Sequence, residues 1–111
     1  MQNNQKEQNN YPMLSEEVHN PVYVVKASTD LLMARVAHSG ITIQLKGSTH
    51  IVQAHAITHL QEGEKLQLMQ CDPFPGDTHA TFQTLPDDGL FPLNGVVNLK
   101  DVDREDSYKV A

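Results

Sequence analysis

Ile41-Thr-Ile-Gln-Leu-Lys46 alternates apolar and polar residues without a break, the period of a strand with one buried face. Ser39-Gly40 precedes it and Gly47-Ser48 follows it. A short glycine-containing pair supplies the positive φ that a two-residue hairpin needs. With both pairs as reversals, the pattern predicts a three-stranded meander over Leu31 to His38, Ile41 to Lys46 and Thr49 to Ala56. In that register Val36, Ile43 and Val52 form one apolar row, flanked by Ala34 with Leu45 and by Ile41 with Ala54. Arg35, Thr42, Gln44 and Gln53 fall on the other face, with Met33 and Ile51 as apolar exceptions. A slip of one residue would turn the whole row outward.

The flanking runs extend the same picture. Val22-Tyr-Val-Val25 is β-branched and aromatic and predicts a first strand. Glu64 to Cys71 alternates through Leu66 and Leu68, Thr78 to Thr84 centres on Ala80 and Phe82, and Val96 to Leu99 closes the series. Ile57 to Gln61 reads as a turn or a distorted strand end. Asp72-Pro-Phe-Pro-Gly-Asp77 and Leu85 to Pro92 are loops, the second turning at Pro86-Asp-Asp-Gly89, because their prolines fit neither a ladder nor a helix interior. Residues 1 to 10 are nearly all Gln and Asn, and Tyr11 to Asn20 offers one helical turn before Asn20-Pro21. Short strands, frequent turns and no amphipathic helix predict an all-β fold, a small single-domain barrel of six or seven mostly antiparallel strands. Its boundaries are a polar leader over 1–20, the barrel over 21–100 and an acidic tail over 101–111.

Charge and cysteine usage narrow the partners. The net charge is −6, and residues 72 to 111 hold eight acids against three bases. Without a Lys/Arg cluster, no nucleic-acid partner is expected. No apolar run is long enough for membrane insertion. The first residues have neither the basic start nor the apolar segment of a signal peptide, so a cytoplasmic location is expected. The lone Cys71 excludes an intrachain disulfide, and a free cysteine at a strand end is expected to be buried.

The order of these pieces resembles a PilZ domain, a six-stranded barrel. The resemblance rests on Pro21-Val-Tyr-Val24, Ala34-Arg-Val-Ala-His-Ser-Gly-Ile-Thr-Ile43, Leu60-Gln-Glu-Gly-Glu-Lys-Leu-Gln-Leu68 and Gly95-Val-Val97. In that family paired arginines before the first strand grip cyclic di-guanylate. Here the arginines are Arg35 and Arg104, and the Asp/Asn-x-Ser-x-x-Gly signature shrinks to Ala37-His-Ser39-Gly40. The resemblance therefore implies a degenerate member that serves as a protein-binding adaptor and binds no cyclic di-guanylate.

Histidines raise a competing reading. Of six, His50, His55 and His59 lie close together, but on a strand His50 and His55 face opposite sides, so one ion cannot easily collect both. A loop site built on His59 and His79 is an alternative. Gly76-Asp-Thr-His79 resembles the second metal motif of cupins, although no His-x-His supplies the first. Cys71 and the serines lack a recognisable nucleophile motif, and neither Gly-x-Ser-x-Gly nor a cysteine signature occurs. Glu62, Glu64, Asp87 and Asp88 flank turn glycines and read as turn formers.

The sequence thus predicts a non-enzymatic protein-binding adaptor with no cofactor and no metal. Its partner is another protein or a second copy of the chain. Phe74 and Phe91, set in loops beside prolines, are the candidate anchors. The alternatives are a small-ligand or metal-binding barrel, cupin-like or built on histidines, and an enzyme of unknown type. Titration calorimetry at moderate ionic strength is expected to give no saturable heat with cyclic di-guanylate, since no guanidinium pair is available to fork onto its phosphates and stack on its bases. Saturable binding at micromolar concentration would contradict this.

Overall fold

A computed structural model describes residues 20–86 and 90–106. Seven strands follow in chain order: β1 (Val22–Val25), β2 (Thr29–Leu45), β3 (Ser48–Leu60), β4 (Lys65–Leu68), β5 (His79–Thr84), β6 (Asn94–Asn98) and β7 (Val102–Arg104). One 3-10 turn, Leu99–Asp101, joins the last two. All pair antiparallel in a single sheet, ordered β3-β2-β6-β5-β4-β1-β7. The all-β class and the strand number agree with the sequence pattern. The leader up to residue 19, Asp87 to Gly89 of the second loop, and Tyr108 and Val110 of the tail lie outside the described residues.

The centre differs from the predicted meander. It is one long hairpin, in which β2 runs through Ser39-Gly40 without reversing. Two-residue reversals of type I′ need positive φ at both central residues, and those of type II′ need glycine first. Ser39-Gly40 meets neither condition, since Gly40 is second and Ser39 is not among the positive-φ residues. Lys46-Gly47 meets the first, with φ of 54° and 80°. The reversal therefore falls there, one residue earlier than Gly47-Ser48, and Leu45 faces Ser48. Ile43 faces His50, not Val52. This shift of two residues in pairing leaves every side chain on its predicted face. Ile43 and Val52 are accordingly buried, at 2% and 3% exposure.

Val36 and Ile41 both pair with Val52, so Ala37 to Gly40 bow out of the ladder as one wide excursion. Gly40 sits where they rejoin, at φ 151°, and a Cβ there would lie 2.1 Å from the Val52 carbonyl oxygen. Only glycine fits that approach. Val36, expected in the apolar row, is instead 78% exposed beside the excursion.

Nor does the sheet close into a barrel. β3 and β7 are its two edges, and no ladder joins them among the described residues. β7 offers three residues against the thirteen of β3, and the ladder joins the hairpin to the rest of the sheet at the single pair Leu32↔Val96. The inner face is nevertheless common to all seven strands. Leu31 and Leu60 of the hairpin meet Val97, Phe82, Leu66, Leu68, Tyr23 and Val102 in one cluster. A single sheet can bring both edges to one cluster only by curling onto its own face. Tyr23 packs edge-on against Phe82, ring centroids 5.1 Å apart. Val102, assigned by sequence to the tail, is buried in this cluster, and Cys71 is exposed beyond the end of β4.

The register has a direct consequence for stability. Ile43→Ala is expected to lower unfolding free energy by about 2–5 kcal/mol, the range for a buried large-to-small change. Val36→Ala should stay within about 0.5 kcal/mol, as for other exposed positions. Urea denaturation of the two variants measures both, and equal losses would restore the meander register.

Candidate functional site

Two clefts open beside the root of the hairpin, and His59 lines both. The first, about 590 Å³, lies between the end of β3, the start of β4 and the loop after β5. Thr58, His59 and Leu60 form one wall, Glu64 and Lys65 a second, and Leu85, Pro86, Leu90, Phe91 and Leu93 the third. The loop is fixed at its base by a reciprocal pair. The Thr84 N–H donates to the Leu93 carbonyl at 2.9 Å, and the Leu93 N–H donates to Thr84 Oγ1 at 2.8 Å. Pro86 and Pro92 restrict the backbone further. Phe91 is 89% exposed on this anchored loop, with Leu90, Leu93 and Leu85 also exposed around it.

The second cleft, about 420 Å³, has a polar lining that includes Ser28, Asp30, His59, His79 and Asp101. Asp30 and His59 are cross-strand partners, with 2.9 Å between Oδ1 and Nδ1. A carboxylate on one ring nitrogen orients a histidine as a general base. Among the described residues, however, no hydroxyl or thiol is hydrogen-bonded to the other ring nitrogen. His79 is buried, its Nδ1 2.7 Å from Thr78 Oγ1. Burial pushes its pKa below the ordinary histidine value, with the Asp101 carboxylate pulling the other way. Among the described residues no three His, Cys, Asp or Glu side chains gather as a metal site.

The two aromatic candidates have different environments. The ring of Phe74 lies against the hairpin turn, where a Cβ on Gly47 would come within 2.8 Å of Cδ2. Asp77 holds this contact together. Its carboxylate accepts the N–H groups of Phe74 at 2.9 Å, Gly47 at 3.0 Å and Lys46 at 3.1 Å. The 72–77 loop is thereby bonded to the tip of a hairpin some thirty residues earlier in the chain, and Phe74 is half covered. Phe91 makes no such contact with the turn and belongs to the first cleft. Sequence reasoning missed the Asp77 brace. The signal that could have found it is the carboxylate closing a Pro-Phe-Pro-Gly loop, three residues after Phe74.

Of the remaining candidates, His50 and His55 stand on β3 away from both clefts. Cys71 lies outside them too. No protein-family model matches the chain, and comparison with curated proteins and with solved structures gives no match. No helix among the described residues is long and apolar enough to cross a membrane.

Asp77 gives the site a pH dependence. The slight desolvation it suffers pushes its pKa up, but the Phe74, Gly47 and Lys46 N–H donors outweigh this and hold it below the ordinary carboxylate value. A carboxylate with a depressed folded pKa contributes stability that is whole above the unfolded pKa and disappears as pH falls through the folded one. Asp77→Ala should therefore lower the melting temperature at neutral pH, with the gap to wild type narrowing in acid. Thermal melts from pH 7 to about pH 3 follow this, spanning the ordinary aspartate pKa. A gap that is constant across that range would remove the brace.

Proposed function

We propose that the protein is a non-enzymatic binding module, an adaptor that takes up an apolar segment of another protein at the cleft around Phe91. The observation that carries this reading is the exposure of Phe91, Leu90, Leu93 and Leu85 together on a loop fixed at its base. Scattered exposed apolar residues are ordinary, but a contiguous group beside a cleft is costly to leave in water unless something covers it. An aromatic on a fixed loop loses little freedom on binding, which suits it as an anchor. His59, Glu64 and Lys65 supply a polar rim that would orient the segment. The PilZ-like spacing of the sequence fits the same adaptor reading. Phe74, held against the hairpin turn, has a structural part and lends nothing to this surface.

Peptides selected from a random displayed library on the full chain provide the test. The bound sequences should be rich in Leu, Ile, Phe or Trp. Phe91→Ser should weaken them by about 30-fold, the size of a hot-spot loss, with the circular dichroism spectrum unchanged. Equal affinity for the variant and the wild type would remove Phe91 as the anchor.

A further inference from the structure

The two edges of the sheet are protected very differently. β7 is three residues long and includes Asp103 and Arg104, with Glu105 and Asp106 directly after it. Asp103 pairs with Lys26 at 3.2 Å, and Arg104 reaches Asp72 at 3.6 Å. Brevity and charge are the usual means of keeping an edge from templating another strand. β3 has neither. From Ser48 to Ala56 its own residues run on without an insertion. The one break in the pairing, at Val52, has its extra residues on β2, and the next irregularity is the bulge at Ile57. Those nine residues, Ser-Thr-His-Ile-Val-Gln-Ala-His-Ala, include no Asp, Glu, Lys, Arg or Pro. Among the described residues nothing pairs with their outer side, which presents about 30 Å of backbone at strand rise.

The hairpin geometry fixes which groups face outward. In a two-residue hairpin the closing pair, here Leu45 and Ser48, exchanges both backbone bonds, and the pairs alternate from there. The N–H and C=O groups of Thr49, Ile51, Gln53 and His55 are therefore the ones directed to the open side. Ile51 and Gln53 are exposed as well.

We propose that this edge pairs antiparallel with the same edge of a second copy, about a two-fold axis near Val52, joining two sheets into one. The choice of occupant follows from charge. Each chain carries −6, so two copies repel through most of their surfaces. A two-fold antiparallel contact sets a strand against itself, and an uncharged strand then meets an uncharged strand in every register. Such a contact at β7 would bring Asp103 and its acidic neighbours towards their own copies. The excursion at Ala37 to Gly40 lies on β2, away from the open side.

Sedimentation equilibrium on the full chain decides the matter. At concentrations of tens of micromolar, a range that covers ordinary dimer affinities, the wild type should show about 25 kDa, twice its 12.4 kDa. Gln53→Lys places two ammonium groups diagonally across the axis, and Gln53→Pro removes an outward N–H without touching the ladder to β2. Each should weaken the dimer by about tenfold or more while circular dichroism stays unchanged. Phe91→Ser should leave it intact, which separates this contact from the cleft. A wild type that is monomeric throughout, or a dimer indifferent to both Gln53 changes, overturns the proposal.

Discussion

One inner face is the apolar surface that this sheet has to bury, and everything else in the fold follows from how it curls to do so. Leu60 and Val102 belong to strands at opposite ends of the sheet order, yet both pack into the cluster around Phe82. The right-handed twist of strands permits that curl, and each fully buried Leu or Phe contributes roughly 1.5–3 kcal/mol toward holding it. Gly95 allows a close approach along the way. A Cβ there would stand 2.6 Å from the Leu32 carbonyl oxygen, beside the one ladder pair between β2 and β6.

Curling without closing has consequences at both ends of the hairpin. At its root, the turn into β4 and the loop after β5 leave the cleft that exposes Phe91. Toward its tip, the hairpin extends beyond the main cluster, and Ile43 and Val52 are buried outside it. The tip is braced instead by the 72–77 loop. Asp77 ties that loop to the turn, and the Thr78 N–H donates to the Gln44 carbonyl while the Gln44 N–H donates to Thr78 Oγ1, both at 3.0 Å. Long-range hydrogen bonds at the tip thus add to the burial of Ile43 and Val52.

The hydrophobic alternation made most of this legible. It located all seven strands in outline except β7, whose charged Asp101-Val-Asp-Arg104 pattern masks a single buried valine. Faces were easier to read than partners. Ile43 and Val52 are buried as expected because strand period alone decides which side a residue takes. Their pairing was misread because a glycine dipeptide marks a turn without saying which of its residues has positive φ. Ser39-Gly40 carries the same composition as a reversal, yet serves a bulge whose glycine is needed for its closeness to Val52. Phe74 and Phe91 looked equivalent as loop aromatics beside prolines. What separates them is a three-dimensional contact with Gly47 that spacing cannot display.

Among the described residues β3 has one neighbour, β2, and an open second side. Cross-strand Hα–Hα contacts measured by nuclear Overhauser spectroscopy on dilute protein test this directly. Non-hydrogen-bonded partners in an antiparallel pair lie closest, with Cα atoms about 4.5 Å apart. A strong contact between Thr42 and Ile51 is the predicted result, with none from Ser48–Ala56 to Val102–Arg104. A strong Ile43–Val52 contact in place of Thr42–Ile51 would mean the three-stranded meander, and contacts between Ser48–Ala56 and Val102–Arg104 would mean a closed barrel, which contradicts the open edge.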